Sequence, residues 1–387
     1  MTPGPSPDAP PRPGHRPAVP AAAGQNAPAP DVEPARRLLR RLVAHLQVRG
    51  RASADALAAL ALLAARLGHR SLAASLTRVA LRDQAPYDYR TAWLLHRLAG
   101  HCLAGSEDHA ALLAGTGERA VEVLLARYRY TTTAGDVDPI NGAGSAGMAL
   151  WEAAGEPTRA ELLPSLRETA RAIVRRPRND LYHGRSGGVL LLRMLGRRYG
   201  RDAVMTTAVD TVVRDYQLLD PAVVDTGVLG TGGVTLCSGP AGMLAAVGPA
   251  ADPAVLAAFV HAPVTRACLD RLDHLLADET ADVTVCHGLG GISLGARLSP
   301  CWRELVGPQR RARLTERLAT YLDHVEDAEV AAVFDTPFAR SVLEHPFGVA
   351  LALAENANST ALWWGAAVSL PDGTPAGIGH PAIGADG

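Results

Sequence analysis

Apolar side chains recur at three- and four-residue intervals from Glu33 onward. Leu38, Leu39, Leu42, Val43 and Leu46 share one helical face, with Arg37, Arg40 and Arg41 between them. A helix with that pattern turns one stripe to a core and the rest to water. Residues 53–66 and 70–82 predict two shorter helices, with Gly68 as the stop between them. Amphipathic patterning returns over residues 158–176, 201–219, 253–277 and 308–326. Interleaved with these are runs that are small and apolar nearly all round: Met148-Ala149-Leu150, Gly188-Val189-Leu190-Leu191-Leu192, Met243-Leu244-Ala245-Ala246-Val247, Ile292-Ser293-Leu294 and Val349-Ala350-Leu351-Ala352-Leu353. Such helices have to be buried on most sides.

Each apolar run follows a turn that carries two nearby glycines. The later glycine is Gly147, Gly187, Gly242, Gly291 or Gly348, with Gly117 a weaker first copy. Three residues earlier stand Gly144, Gly184, Gly239 and Gly288, and in the last copy His345. The copies lie 30, 40, 55, 49 and 57 residues apart, enough for one helix out and one helix back. A tight turn into a crowded helix start leaves no room for a Cβ, which explains the glycines. Buried helices alternating with amphipathic ones predict an all-α fold with an inner ring inside an outer ring, an α/α toroid. Repetition alone does not prove closure, so an open helical solenoid is the structural alternative.

Composition sets the limits of this picture. Nearly half the 387 residues are apolar and a fifth are charged, as in a globular chain. Residues 1–34 are rich in Pro, Ala and Gly and almost lack large apolar side chains. That segment cannot offset the entropy cost of ordering and predicts a disordered N-terminal tail ahead of the helices. A formal charge of −1 without a dense basic block argues against a nucleic-acid partner. No run is long and apolar enough for a transmembrane segment, and no leader pattern opens the chain. Five cysteines at irregular spacing do not make a disulfide framework. The expectation is a cytoplasmic protein with reduced thiols.

The reactive residues share one register of the repeat. Five before the later glycine stand Gly142, Tyr182, Cys237, Cys286 and Leu343, and four before it Ala143, His183, Ser238, His287 and Glu344. Equivalent turns of a closed ring lie on one face, so Cys237, Cys286, His287 and His183 are expected to meet there. Two thiolates and one imidazole form a three-ligand zinc set whose fourth position stays open for water or substrate. Cys102, Cys268 and Cys301 fall outside the register and read as small buried hydrophobes. His96, His101 and Cys102 are close in sequence, but their helical offsets do not place all three on one face.

Over roughly residues 36–370 the chain resembles the lanthionine synthetase C-like (LanC) family, the cyclases of lanthipeptide biosynthesis. The resemblance rests on Cys286-His287-Gly288 followed by Gly291, on Cys237 followed by Gly239-Pro240-Ala241-Gly242, and on His183-Gly184 followed by Gly187. It implies one LanC-like toroid domain over residues 35–387, with Zn2+ on Cys237, Cys286 and His287. It also implies His183 as a catalytic histidine and an aspartate before an earlier glycine turn. Asp138 takes the aspartate's place, with Asp136 as competitor. The implied reaction adds cysteine thiolates of a dehydrated precursor peptide to dehydroalanine or dehydrobutyrine, with a lanthipeptide dehydratase as the partner enzyme.

Two positions depart from the family pattern. Leu236 stands where an aromatic residue usually precedes the first zinc cysteine, and Gly233 where an arginine usually lies four before it. A divergent, non-catalytic zinc-binding toroid that holds a peptide or a partner enzyme is therefore the alternative. His345, at the turn face, is a substitute source of a polar group. A toroid glycosidase would need paired carboxylates and a terpene cyclase an Asp-rich motif, and the repeat register holds neither.

Overall fold

The computed structural model describes residues 32–82, 88–104, 109–177, 180–181, 183–199, 203–224, 233–247 and 251–357. The expected tail lies outside these apart from its last three residues, as does the chain after residue 357. Every regular element among the described residues is helical, and the fold is all-α. The first helices are α1 (Glu33–Arg49), α2 (Ala54–Arg66), α3 (Arg70–Arg82), α4 (Tyr89–Cys102) and α5 (His109–Thr133). Then come α6 (Ala143–Ala153), α7 (Glu156–Val174), α8 (Arg185–Tyr199), α9 (Ala203–Gln217), α10 (Pro240–Val247), α11 (Pro253–Val260) and α12 (Pro263–Ala277). The last are α13 (Leu289–Leu298), α14 (Pro300–His324), α15 (Asp327–Ala332), α16 (Phe338–Glu344) and α17 (Pro346–Ala357). None of these is long and apolar enough to cross a membrane.

The apolar runs form the buried helices. Helix α10 is buried at every residue from Pro240 to Val247, and α13 from Leu289 to Ala296. Helix α2 packs on α4, α4 on α6, α6 on α8, α8 on α10, α10 on α13, and α13 on α17, which packs on α2. Most amphipathic helices pair with consecutive members of this series, while α11 packs on α9, and α12 on α9 and α14. Helix α3 touches α2 and α4, α5 touches α4 and α6, α7 touches α6 and α8, and α9 touches α8 and α10. Helix α14 touches α10, α13 and α17, and α1 touches α17 and α2.

Two glycines show why the repeat needs them. A Cβ on Gly242 would collide with the Leu236 carbonyl and crowd the Leu181 side chain, and a Cβ on Gly291 would collide with the Val285 carbonyl and crowd Leu236. Each helix start is thus pressed against its own turn and the turn of the preceding copy. Three expectations change. Gly117 is not a turn copy: it lies inside α5, facing the His96 ring across helices. The stretch 253–277 breaks into α11 and α12, because Pro263 starts a new helix after an extended Ala262. The segment expected from 308 begins at Pro300, with a kink at Gly307, φ 74°, before Pro308.

Candidate metal centre

Backbone hydrogen bonds tie the repeated turns side by side. The Leu181 N–H donates to the Cys237 carbonyl (2.9 Å), the Cys237 N–H to Cys286 (3.4 Å), and the Cys286 N–H to Leu343 (3.0 Å). Neighbouring turns therefore present equivalent residues to the same place. Two of the turns are braced alike. The Gly239 N–H donates to the Thr235 carbonyl (2.8 Å), and the Gly288 N–H to that of Thr284 (3.1 Å).

This ladder brings the metal-type donors of Cys237, Cys286 and His287 within 4.8 Å of one another. Cys286 Sγ lies 3.5 Å from His287 Nε2. Ligands on one tetrahedral zinc, at the usual Zn–S and Zn–N lengths, would stand about 3.6 Å apart for sulfur and nitrogen. The donor set and its spacing therefore fit zinc. The two cysteines are buried, at 4% and 8% exposure, and His287 is the most open of the three. Bringing two thiols together pushes Cys237 up to about 12, through its hydrogen bond to Cys286 and then through burial. His287 is raised, first by its bond to Cys237.

Beside this cluster stands an acid–imidazole pair. His183 Nδ1 lies 2.9 Å from Asp138 Oδ2, and the His183 backbone N–H donates to Asp180 Oδ1. His183 is raised to about 10, first by the Asp138 bond and then by one to the Cys237 side chain, against the effect of burial. Burial pushes Asp138 up, but the His183 bond and the N–H groups of Ile140 and Asn141 outweigh it and bring the carboxyl to about 2. The competitor Asp136 braces the turn instead: its Oδ1 accepts from the Asp138 N–H (3.1 Å) and its carbonyl from Ala143 (2.8 Å).

A residue outside the sequence expectations completes this corner. Arg176, just past the end of α7, donates from Nη1 to Asp138 Oδ2 (3.3 Å) and to the His183 carbonyl (2.9 Å). With Asp138, Pro177 and His183 it lines a cavity of about 370 Å³. Arg176 lies off the repeat register, and nothing in its sequence neighbourhood marks it. The departures have physical reasons. Gly233 is buried in the left-handed region, φ 66°, and its carbonyl accepts from Tyr216 Oη (3.3 Å), so a side chain there would be strained. Leu236 is fully buried and packs on Gly291. His345 caps α16, and burial lowers its pKa. Tyr182 lies outside the described residues. No family model, curated protein or solved structure matches the chain.

Proposed function

We propose that the chain is a zinc-dependent lanthipeptide cyclase built as an α/α toroid. Its reaction adds cysteine thiols of a dehydrated precursor peptide to dehydroalanine or dehydrobutyrine, forming thioether rings. The toroid reading is supported by the order of helix contacts, in which α17 returns to α2. One observation carries the function: three metal-type donors and an Asp–His pair occupy one corner, with the Cys237 side chain near enough to His183 to raise its pKa.

Cys237, Cys286 and His287 would hold the zinc, with the fourth position left to substrate. When bound, the ion supplies a positive charge that favours the ionised form of thiols near it. The chain's own residues do the rest. Asp138 orients the His183 ring and keeps it protonated, so Nε2 carries a proton for delivery. As the substrate sulfur bonds to the β-carbon, the electron pair of the carbon–carbon double bond shifts to the bond between the α-carbon and the carbonyl carbon, and the carbonyl π pair moves onto its oxygen. The proton from His183 Nε2 then arrives at the α-carbon and the carbonyl re-forms. The thiol's own proton leaves on ionisation, and His183 regains one from solvent. The dehydroamino acids require prior loss of water from Ser or Thr, the work of a dehydratase acting on the same peptide.

The test is incubation of the zinc-loaded full chain with a peptide carrying one cysteine and one dehydroalanine. The addition leaves the mass unchanged but removes the thiol, so maleimide labelling is expected to disappear. Labelling that persists at the rate seen without protein overturns the reading.

A further inference from the structure

The corner that holds His183 contains a guanidinium with more donors than its visible bonds use. Among the described residues, Arg176 bonds through Nη1, to Asp138 Oδ2 and to the His183 carbonyl. Among the described residues, no hydrogen bond is made by its Nε or Nη2. Its side chain is 33% exposed, beside an Asp138 that is 16% exposed, and both line the 370 Å³ cavity. Its backbone is held as well, because the Arg185 Nε donates to the Arg176 carbonyl.

The neighbouring arginines are committed elsewhere. Arg185 pairs with Asp215, Arg127 donates to the Asn141 carbonyl and stacks over Tyr89, and Arg90 is buried on Ile140 and Asn141. Asp138 Oδ2 is shared between Arg176 Nη1 and His183 Nδ1. One carboxylate oxygen thus sets the guanidinium next to the His183 ring, on the same cavity wall. A fixed guanidinium keeps its charge at any working pH, and its planar fork suits an oxygen that gains negative charge.

We propose that Arg176 is a catalytic residue whose Nε and Nη2 donate to the carbonyl oxygen of the dehydroamino acid. The proposal rests on the cyclase reading. When the sulfur–carbon bond forms, the double-bond pair shifts to the bond between the α-carbon and the carbonyl carbon, and the carbonyl π pair comes to rest on that oxygen. Arg176 holds the charge until the His183 proton reaches the α-carbon and the pair returns to re-form the carbonyl. Donors aimed at a developing oxyanion strengthen as the charge appears, so their loss falls on kcat more than on KM.

The experiment compares wild type, Arg176→Ala and Arg176→Lys in the full zinc-loaded chain, on one peptide with a single cysteine and a single dehydroalanine. Zinc content and thermal midpoint are measured on each. Arg176→Ala is expected to lower kcat by about 10²–10³ with KM changed less than about threefold and zinc retained. Added guanidinium ion is expected to restore part of that rate, and none to His183→Ala. Lysine, lacking the fork, is expected to recover at most about a tenth of the wild-type kcat. Arg176→Ala turning over within about threefold of wild type overturns the proposal. So does full recovery by lysine, and so does a rate loss that guanidinium cannot repair. If Arg176→Ala fails to fold or loses zinc, Arg176→Lys decides by its kcat alone. A wild type that binds zinc but does not cyclise sinks the parent reading, and this one with it. Active wild type with unaffected variants sinks this one alone.

Discussion

Replacing Asp138 by Asn removes one charge from the corner and leaves its shape. Oδ1 accepts from the N–H groups of Ile140 (2.9 Å) and Asn141 (3.0 Å), and an amide oxygen can take both, so the turn is expected to survive. Oδ2 has no such substitute. It meets His183 Nδ1 at 2.9 Å and Arg176 Nη1 at 3.3 Å, and an amide nitrogen there would oppose two donors. The carboxyl is lowered from 3.8 to about 2, so its contribution is present above pH 3.8 and lost as pH falls through about 2. A drop of nearly two units is worth about 2.5 kcal/mol at pH 7 and about half that at pH 3. With 16% of the side chain exposed, screening takes little from this. His183, raised from 6.5 to about 10, runs the other way: its contribution holds below pH 6.5 and is lost as pH rises through about 10. The assay is urea unfolding of both proteins, followed by circular dichroism, from pH 3 to pH 10. Asp138→Asn is expected to be less stable at pH 7 by about 2 kcal/mol, the gap narrowing toward either extreme. A gap of the same size at pH 3, 7 and 10 would refute the ion pair.

Cys286→Ala is expected to lose bound zinc by metal analysis while keeping its helical circular dichroism, since Cys286 lies in the turn between α12 and α13 and not in a helix. His183→Ala is expected to keep zinc and helicity but to slow cyclisation by about 10²–10⁴; loss of zinc would make His183 a ligand. Gly291→Ala places a Cβ against the Val285 carbonyl and the Leu236 side chain, and is expected to cost about 3 kcal/mol in urea unfolding. A cost under about 0.5 kcal/mol would show that the turns are not pressed together as described.

The buried helices α6, α8, α10, α13 and α17 were legible because glycine marks each of their starts, and the contacts at Gly242 and Gly291 show the crowding that excludes a side chain; α2 and α4 start from Ser53 and Asp88 and carry no such mark. Cys237, Cys286 and His287 were legible as neighbours for the same reason: the backbone ladder from Leu181 to Leu343 turns register into proximity. Gly117 misled because a glycine inside a helix looks, in sequence, like one at a turn. Its partner is His96, on another helix, and no spacing reports that. Asp138 and Asp136 are two residues apart and could be separated only by which one faces His183 and which one faces its own turn. Arg176 was invisible because it reaches the corner from the end of α7, outside the register. Gly233 stands where the resemblance expects an arginine, and its backbone lies in a region that favours glycine, which the sequence does not report.

The most direct test of the central claim is zinc-edge X-ray absorption on the full chain, before and after adding a cysteine-containing dehydrated peptide. The expected result is one zinc per chain with the two sulfurs of Cys237 and Cys286 at about 2.3 Å and the nitrogen of His287 at about 2.0 Å. A third sulfur is expected when the peptide is present. A chain that binds no zinc, or whose zinc environment the peptide leaves unchanged, would contradict it.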